Sequence, residues 1–249
     1  MLIPNLLLEV IAPFIRFMLP STCLFCGGIC LFSIPICSPC LKGLPILAHS
    51  CEQCAEYLHP SLLSNNKSRI CGACLAYPPP FDHTFALFPY CFPIIEVITK
   101  LKFQHQLGYT KVLATLFIQR ILQSWYKNKS LPDLILPIPL HDKRLQHRGF
   151  NQAYEIAKPI AKAFMIPVDF TGVKRIKNTQ AQSRLSSIDR QTNVANAFVA
   201  KRSYTGMTIA VIDDVMTTGY TITEFCRVIR QSGAKNIDVW CCARNQKLG

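Results

Sequence analysis

Acidic side chains are scarce. The 249 residues hold 14 Asp+Glu against 27 Lys+Arg, a formal net charge of +13 with the histidines neutral. Charged residues of both signs reach only 16% while 50% are hydrophobic, which excludes a charge-rich disordered tail and leaves apolar material for a core. No Gly-Lys dipeptide occurs anywhere, so a Gly-x-x-x-x-Gly-Lys-Ser/Thr loop and its nucleotide chemistry are excluded. Also missing is any uncharged apolar run of the ~18–20 residues that a bilayer span needs. The N-terminus is apolar but lacks a basic leader, and Glu9, Pro13 and Arg16 interrupt it, which argues against a secretory signal. A cytoplasmic protein is the expectation.

The shortage of acid is uneven. Residues 1–80 carry 4 basic and 3 acidic side chains, and residues 81–249 carry 23 and 11. A half this basic attracts phosphate, whether in nucleic acid, a small phosphorylated ligand or anionic lipid.

Cysteine divides the chain more sharply. Eight of the 13 cysteines form four C-x-x-C pairs, Cys23/Cys26, Cys37/Cys40, Cys51/Cys54 and Cys71/Cys74, separated by 10, 10 and 16 residues. One C-x-x-C turn brings two thiolates to one ion, and two turns complete a tetrahedral four-cysteine site. Sequential pairing would join the first two turns and the last two; spacing alone also permits a crossed arrangement. No C-x-x-C-x-x-C run of the iron–sulfur type is present. No histidine or carboxylate sits at ligand spacing to leave an open position, so the expected metal is structural Zn2+, held by reduced thiols.

The order of elements follows from apolar spacing and proline. Residues 2–19 read as a short apolar helix, packed on the protein or lying on a membrane surface. Residues 21–80 are the cysteine module, closed by Pro78-Pro79-Pro80. Residues 85–90 read as a strand, 94–103 as a helix, and 109–126 as a longer helix with Val112, Leu116, Ile118 and Leu122 inward. From residue 133, strands (133–138, 207–212, 236–242) alternate with helices (151–165, 221–231). Pro159 lies inside the first of these helices and should kink it. Such alternation implies an α/β fold with a parallel, doubly wound sheet, whose ligands bind beyond the carboxyl ends of the strands.

Residues 209–221 carry the most chemistry. A buried strand delivers Asp213 and Asp214 to its end, ahead of the small polar run Thr217, Thr218, Gly219, Tyr220 and Thr221. Thr221 and Glu224 have capping-box spacing, which places the start of a helix there. Backbone N–H groups of the turn, the threonine hydroxyls and the helix dipole then make an anion site. The two acids ahead of it suit ribose hydroxyls or a Mg2+-bound sugar.

This segment resembles the 5-phosphoribosyl-1-pyrophosphate (PRPP) loop of type I phosphoribosyltransferases. Three further features make the whole chain similar to the ComF family of competence-associated, phosphoribosyltransferase-like proteins. They are Pro139-Leu140-His141 leading to Arg148-Gly149-Phe150-Asn151-Gln152; Thr179 and Gln182 followed by Leu185, Arg190, Asn193 and Ala197-Phe198; and the cysteine pairs ending in a proline run. The resemblance implies three parts, an apolar helix (1–20), a double zinc ribbon (21–80) and a type I phosphoribosyltransferase-like domain (81–249). It implies that residues 217–221 hold the 5-phosphate and that Asp213 and Asp214 act as the catalytic acids toward ribose and Mg2+. It gives pyrophosphate contact to the loop with Pro139, Leu140, Lys143, Arg144, His147 and Arg148, and makes residues 177–192 a loop that closes over the site.

Two functions follow from the resemblance. One is a protein of natural competence and DNA uptake that binds PRPP with Mg2+ and handles single-stranded DNA, beside competence-machinery proteins at the inner membrane. The other is a phosphoribosyltransferase of nucleotide salvage or purine metabolism that transfers phosphoribosyl to a nitrogen nucleophile. The basic residues 81–249 favour DNA, and Lys100, Lys102, Phe103, His105 and Tyr109 mix cations with aromatic rings on which bases could stack. The intact acids and threonines favour PRPP. No acceptor pocket is legible.

Overall fold

The computed structural model describes residues 21–30, 34–60, 69–178 and 193–246. The expected N-terminal helix, and all but the first two residues of the expected closing loop, lie outside them.

Four parallel strands form the central sheet: β3 (His83–Pro89), β4 (Leu134–Pro137), β7 (Thr208–Met216) and β8 (Asn236–Arg244). Their order across the sheet is β3-β8-β7-β4, with Ile212 facing Trp240 and Leu136 facing Val211 in register. Strand alternation sorts the side chains onto two faces. Ile135, Ala210, Ile212 and Trp240 pack under α3 (Ile94–Phe103), α4 (Gly108–Arg120) and α6 (Gln152–Phe164). Leu136, Ile209, Val211 and Val239 pack under α7 (Tyr220–Gln231). Covered on both faces, the strands are apolar throughout, as a parallel sheet requires. A short antiparallel pair, β5 (Val173–Arg175) and β6 (Phe198–Ala200), stands beside the sheet.

Several boundaries differ from the expectations. Strand β7 does not stop at Ile212: Val215 and Met216 still pair with Ala243 and Arg244, so both acids lie within the strand. Helix α7 begins at Tyr220 with Gly219 as N-cap and no side-chain cap. Glu224 instead accepts from the Asn196 N–H (2.8 Å) and pairs with Arg227 at 2.7 Å. Helix α4 passes into a π turn at Ile121–Trp125, which rotates the following residues. Tyr109, Leu113, Phe117 and Ile121 are inward, whereas Leu122 is 62% exposed and Leu116 and Ile118 are half-buried. Helix α6 runs through Pro159 to Phe164 and buries Ala153, Ile156, Ala157, Ile160 and Ala161. No described helix is long and apolar enough to cross a membrane.

The cysteine module is nearly devoid of regular structure. It contains β1 (Ser21–Thr22), β2 (Ile29–Cys30), α1 (Ser38–Lys42) and α2 (Gly72–Ala76), each only a few residues long. Its first half buries Ile36 and Leu44 in the main core, and its second half has only a small cluster around Cys51, Leu58 and Cys74.

Candidate functional site

The thiols are gathered into two sets, Cys23/Cys26/Cys37/Cys40 and Cys51/Cys54/Cys71/Cys74, the Sγ atoms of each set within 4.8 Å of one another. This is the sequential pairing. Cys26 and Cys37 sulfurs lie 3.7 Å apart and those of Cys54 and Cys71 3.6 Å. A tetrahedron with Zn–S bonds of about 2.3 Å has edges of about 3.8 Å. Backbone N–H groups of Cys37 and Cys71 donate to the Cys23 and Cys51 sulfurs at 3.4 and 3.2 Å, a contact that suits thiolate. The Cys54 thiol donates to Cys51 and holds it down to about 4. All eight residues fit two closed four-thiolate sites for structural Zn2+, which cross-link a module of very short elements.

The second site is a cavity of about 430 Å³ beyond the carboxyl ends of β4 and β7, where an open parallel sheet binds its ligands. Asp213, Asp214, Thr217, Gly219 and Thr221 form one wall, and Leu140, Arg144 and Arg148 another. Pro139, Lys143, Thr218 and Tyr220 do not line it. Lys143 is exposed because residues 142–148 form a helix, α5 (Asp142–Arg148), rather than a loop. Its spacing turns Arg144, His147 and Arg148 to the cavity and Lys143 away.

Strand alternation separates the two acids. Asp214 shares the face of Ala210 and Ile212, where Lys102 Nζ sits 2.9 Å from Oδ2 and the Gln152 amide donates to the same oxygen at 3.1 Å. Asp213 lies on the face of Val211, and its Oδ1 accepts from the Asp214 N–H at 2.9 Å. Burial, and then the neighbouring Asp214 charge, push the Asp213 carboxyl up to about 7. Across the cavity, burial lowers Arg148 and takes Arg175 down to about 10. A carboxyl pushed up by burial and two desolvated guanidinium groups that stay charged describe a site whose charges call for a ligand.

The turn between β7 and α7 needs Gly219. Its φ is +84°, and a Cβ there would fall 2.9 Å from the Met216 methyl. The N-terminus of α7, with Gly219, Thr221 and Ile222, then opens toward the cavity. Two polar atoms are buried without a hydrogen-bond partner, Thr218 Oγ1 in this turn and Gln152 Oε1 in the cavity wall. Gln152 Oε1 suits a hydroxyl-bearing ligand, whereas Thr218 Oγ1 lies behind the cavity wall.

Lys102, Gln152 and Arg175 were not among the expected site residues. Gln152 had a signal, as the end of the Arg-Gly-Phe-Asn-Gln run. Lys102 had one only as a member of the cation–aromatic cluster, which the structure breaks up. Tyr109 is 2% exposed and donates to the Leu24 carbonyl at 2.6 Å, so no base can stack on it. Lys100 pairs with Glu96 at 3.7 Å, Lys102 points into the cavity, and exposed Phe103 carries the Arg148 guanidinium 5.5 Å from its ring centre. Arg175, on a three-residue strand, had no sequence signal.

Residues 14–75 match the double zinc ribbon domain family and residues 151–248 the phosphoribosyl transferase domain family. The DNA utilization protein YhgH of Salmonella typhimurium is 32% identical over 228 residues, 90% of this chain and 97% of that protein. Competence protein F of Haemophilus influenzae is 31% identical over 230 residues, 89% of this chain and 96% of that protein. The chain belongs to the ComF family. Each of these two alignments spans nearly the whole of both proteins. Among solved structures, the glutamine PRPP amidotransferase of B. subtilis overlaps 53% of this ComF-family chain and 26% of its own, at 18% identity and a TM-score of 0.36.

Proposed function

We propose that the protein serves natural competence and DNA uptake in the cytoplasm, binding PRPP with Mg2+ in the cavity and single-stranded DNA on the basic surface around it. One relative is named a competence protein and another a DNA utilization protein, and each aligns along nearly its full length. In this reading residues 21–80 are the metal-bearing ribbon, residues 81–249 bind ligand, and residues 1–20, outside the described residues, are an apolar N-terminal segment.

The observation that carries the ligand is the charge pattern of the cavity. Asp213 and Asp214 stand beside Lys102 on one side, with Arg144, Arg148 and Arg175 opposite, and buried Gln152 Oε1 in the wall lacks a hydrogen-bond partner. The turn and the α7 N-terminus hold the 5-phosphate, the arginines the pyrophosphate, and Asp213 and Asp214 the ribose hydroxyls and Mg2+. Bound there, Mg2+ neutralises pyrophosphate oxygens and makes them a better leaving group. Lys102 and Gln152 both contact Asp214 Oδ2 and hold the carboxyl in orientation.

A transferase reading has one supporting observation. Tyr90 and Phe103 line the same cavity and offer flat apolar surface to an acceptor base. Departure of pyrophosphate from ribose C1 would leave cationic character that the two carboxylates stabilise.

Fluorescence anisotropy with an oligothymidylate at several salt concentrations tests the DNA half. Binding should weaken linearly in log K against log salt, with a slope of about −0.7 per phosphate neutralised. Arg144→Ala with Arg148→Ala should flatten that slope if the strand crosses the cavity mouth. A slope near zero in the unaltered protein removes the DNA reading and leaves the transferase.

A further inference from the structure

Arg244, the last residue of β8, is 5% exposed and spends its guanidinium on two parts of the molecule at once. Its Nη1 donates to the carbonyls of Met216 at 3.2 Å and Thr217, which begin the turn read above as the phosphate site. Its Nε donates to the Cys54 carbonyl at 2.9 Å, and Nη2 pairs with Glu56 Oε2 at 2.6 Å. Cys54 belongs to the second cysteine set, and Glu56 follows it by two residues. Only arginine presents donors on a rigid plane that can serve both sides together.

The neighbouring backbone repeats the link. The Asn245 N–H donates to the Met216 carbonyl at 2.9 Å. The Gln246 side chain accepts from the Tyr57 N–H at 2.6 Å and donates to the Ala55 carbonyl at 3.2 Å. The knuckle of residues 51–57 thus grips the end of β8, and the end of β8 grips the turn. The knuckle itself needs its ion. Ala55 is held at a φ of +56° by a hydrogen bond to the Cys51 carbonyl, a conformation costly for a residue with a side chain. Four thiols packed around no cation would not keep the Cys54 carbonyl and Glu56 where Arg244 uses them. The first cysteine set docks elsewhere. The Leu24 carbonyl accepts from Tyr109, and Phe25 packs edge-on against the Tyr109 ring at 5.8 Å, both on α4.

We propose that the second four-cysteine centre positions the phosphate-binding turn through Arg244, so that metal at Cys51, Cys54, Cys71 and Cys74 and a phosphorylated sugar in the cavity stabilise one another. Among the described residues, the first centre has no such tie. Arg244 is a positioning residue in this scheme and touches no ligand. The inference rests on the reading of residues 217–221 as a phosphate site.

Linkage makes the coupling reciprocal, and measured couplings of this kind span about 5- to 150-fold. The test uses the full zinc-loaded chain and ribose 5-phosphate, whose binding is first established by calorimetry. Zinc is then withdrawn by a chromogenic chelator with and without saturating ribose 5-phosphate, and the freed thiols are alkylated and mapped by peptide mass spectrometry. Saturating ligand should slow release from Cys51, Cys54, Cys71 and Cys74 by about 5-fold or more, and leave release from the Cys23 set unchanged as the internal control. Arg244→Lys should weaken ribose 5-phosphate by a similar factor and abolish the protection at ligand saturation. Glu56→Gln keeps the arginine in place and serves if the lysine variant fails to fold; it should reduce both effects. Ligand binding with equal release rates at the second centre, with and without ligand, would overturn the coupling alone. Absence of ribose 5-phosphate binding in the unaltered chain, seen before any zinc is removed, would overturn the phosphate reading and this inference with it.

Discussion

Replacing Asp213 by Asn should stabilise the ligand-free protein, and more so as the pH rises. The folded protein holds this carboxyl at about 7, against an ordinary 3.8, because burial and the Asp214 charge disfavour its ionised form. Between those values the folded chain keeps a proton that the unfolded chain has released, so stability falls as pH rises through the window and levels off above pH 7. The raised value spans roughly 3 pH units at 1.36 kcal/mol each, which caps the cost at about 4 kcal/mol. Asparagine keeps Oδ1, and so the acceptor for the Asp214 N–H at 2.9 Å, while removing the charge. Zinc thiolates protonate in acid, so the usable range begins near pH 5.5, and about 2 kcal/mol of the effect remains between there and pH 7. Urea denaturation of both proteins at half-unit steps from pH 5.5 to 8, with zinc present, reads this as a shift of about 1 M in the midpoint difference. The two curves should diverge up to pH 7 and run parallel beyond it. Curves parallel over the whole range would mean that Asp213 titrates as an ordinary surface acid, and the electrostatic argument for the cavity would be wrong.

Three other outcomes are expected. Metal analysis should find about two Zn2+ per chain, and a strong chelator should unfold the cysteine module; iron, or no metal, would contradict the tetrathiolate geometry. Lys102→Met should lower stability by about 2 kcal/mol at neutral pH, since it strips the cation from Asp214, whose side chain is 7% exposed; an unchanged denaturation midpoint would remove Lys102 from the site. Leu122→Gln should change stability by less than about 0.5 kcal/mol and Phe117→Ala should cost about 3–5 kcal/mol, which is contrary to the sequence reading that turns Leu122 inward.

Much of this was legible in the sequence because the signals are local. Four C-x-x-C turns state their chemistry by spacing alone, and apolar strands alternating with amphipathic helices state a covered parallel sheet. The pairing of the turns was not legible, because spacing leaves the partners open until the chain is folded. Boundaries failed where distant residues decide them. Strand β7 extends past the acids because Ala243 and Arg244 of β8 are there to pair with Val215 and Met216. The capping box at Thr221 and Glu224 lost to Arg227 and the Asn196 N–H, which take the glutamate instead. In helix 108–120 apolar residues occur on more than one face, and the inward one, with Tyr109, Leu113 and Phe117, is chosen by what packs against it. Within the cavity, the threonine turn and the acid pair were visible as a motif. Lys102 and Arg175 come from α3 and β5, far away in the chain, and each is an ordinary basic residue until the fold carries it to Asp213 and Asp214. Arg244 is the extreme case, a C-terminal arginine whose partners lie 28 and 188 residues away.

Calorimetric titration with PRPP and Mg2+ tests the central claim, that the cavity beyond β4 and β7 is a phosphoribosyl site. The unaltered protein should bind PRPP with a dependence on Mg2+, and Asp213→Asn with Asp214→Asn should abolish that binding while circular dichroism and zinc content stay unchanged. Equal affinity in the double variant, or no PRPP binding by the unaltered, zinc-loaded protein, would contradict it.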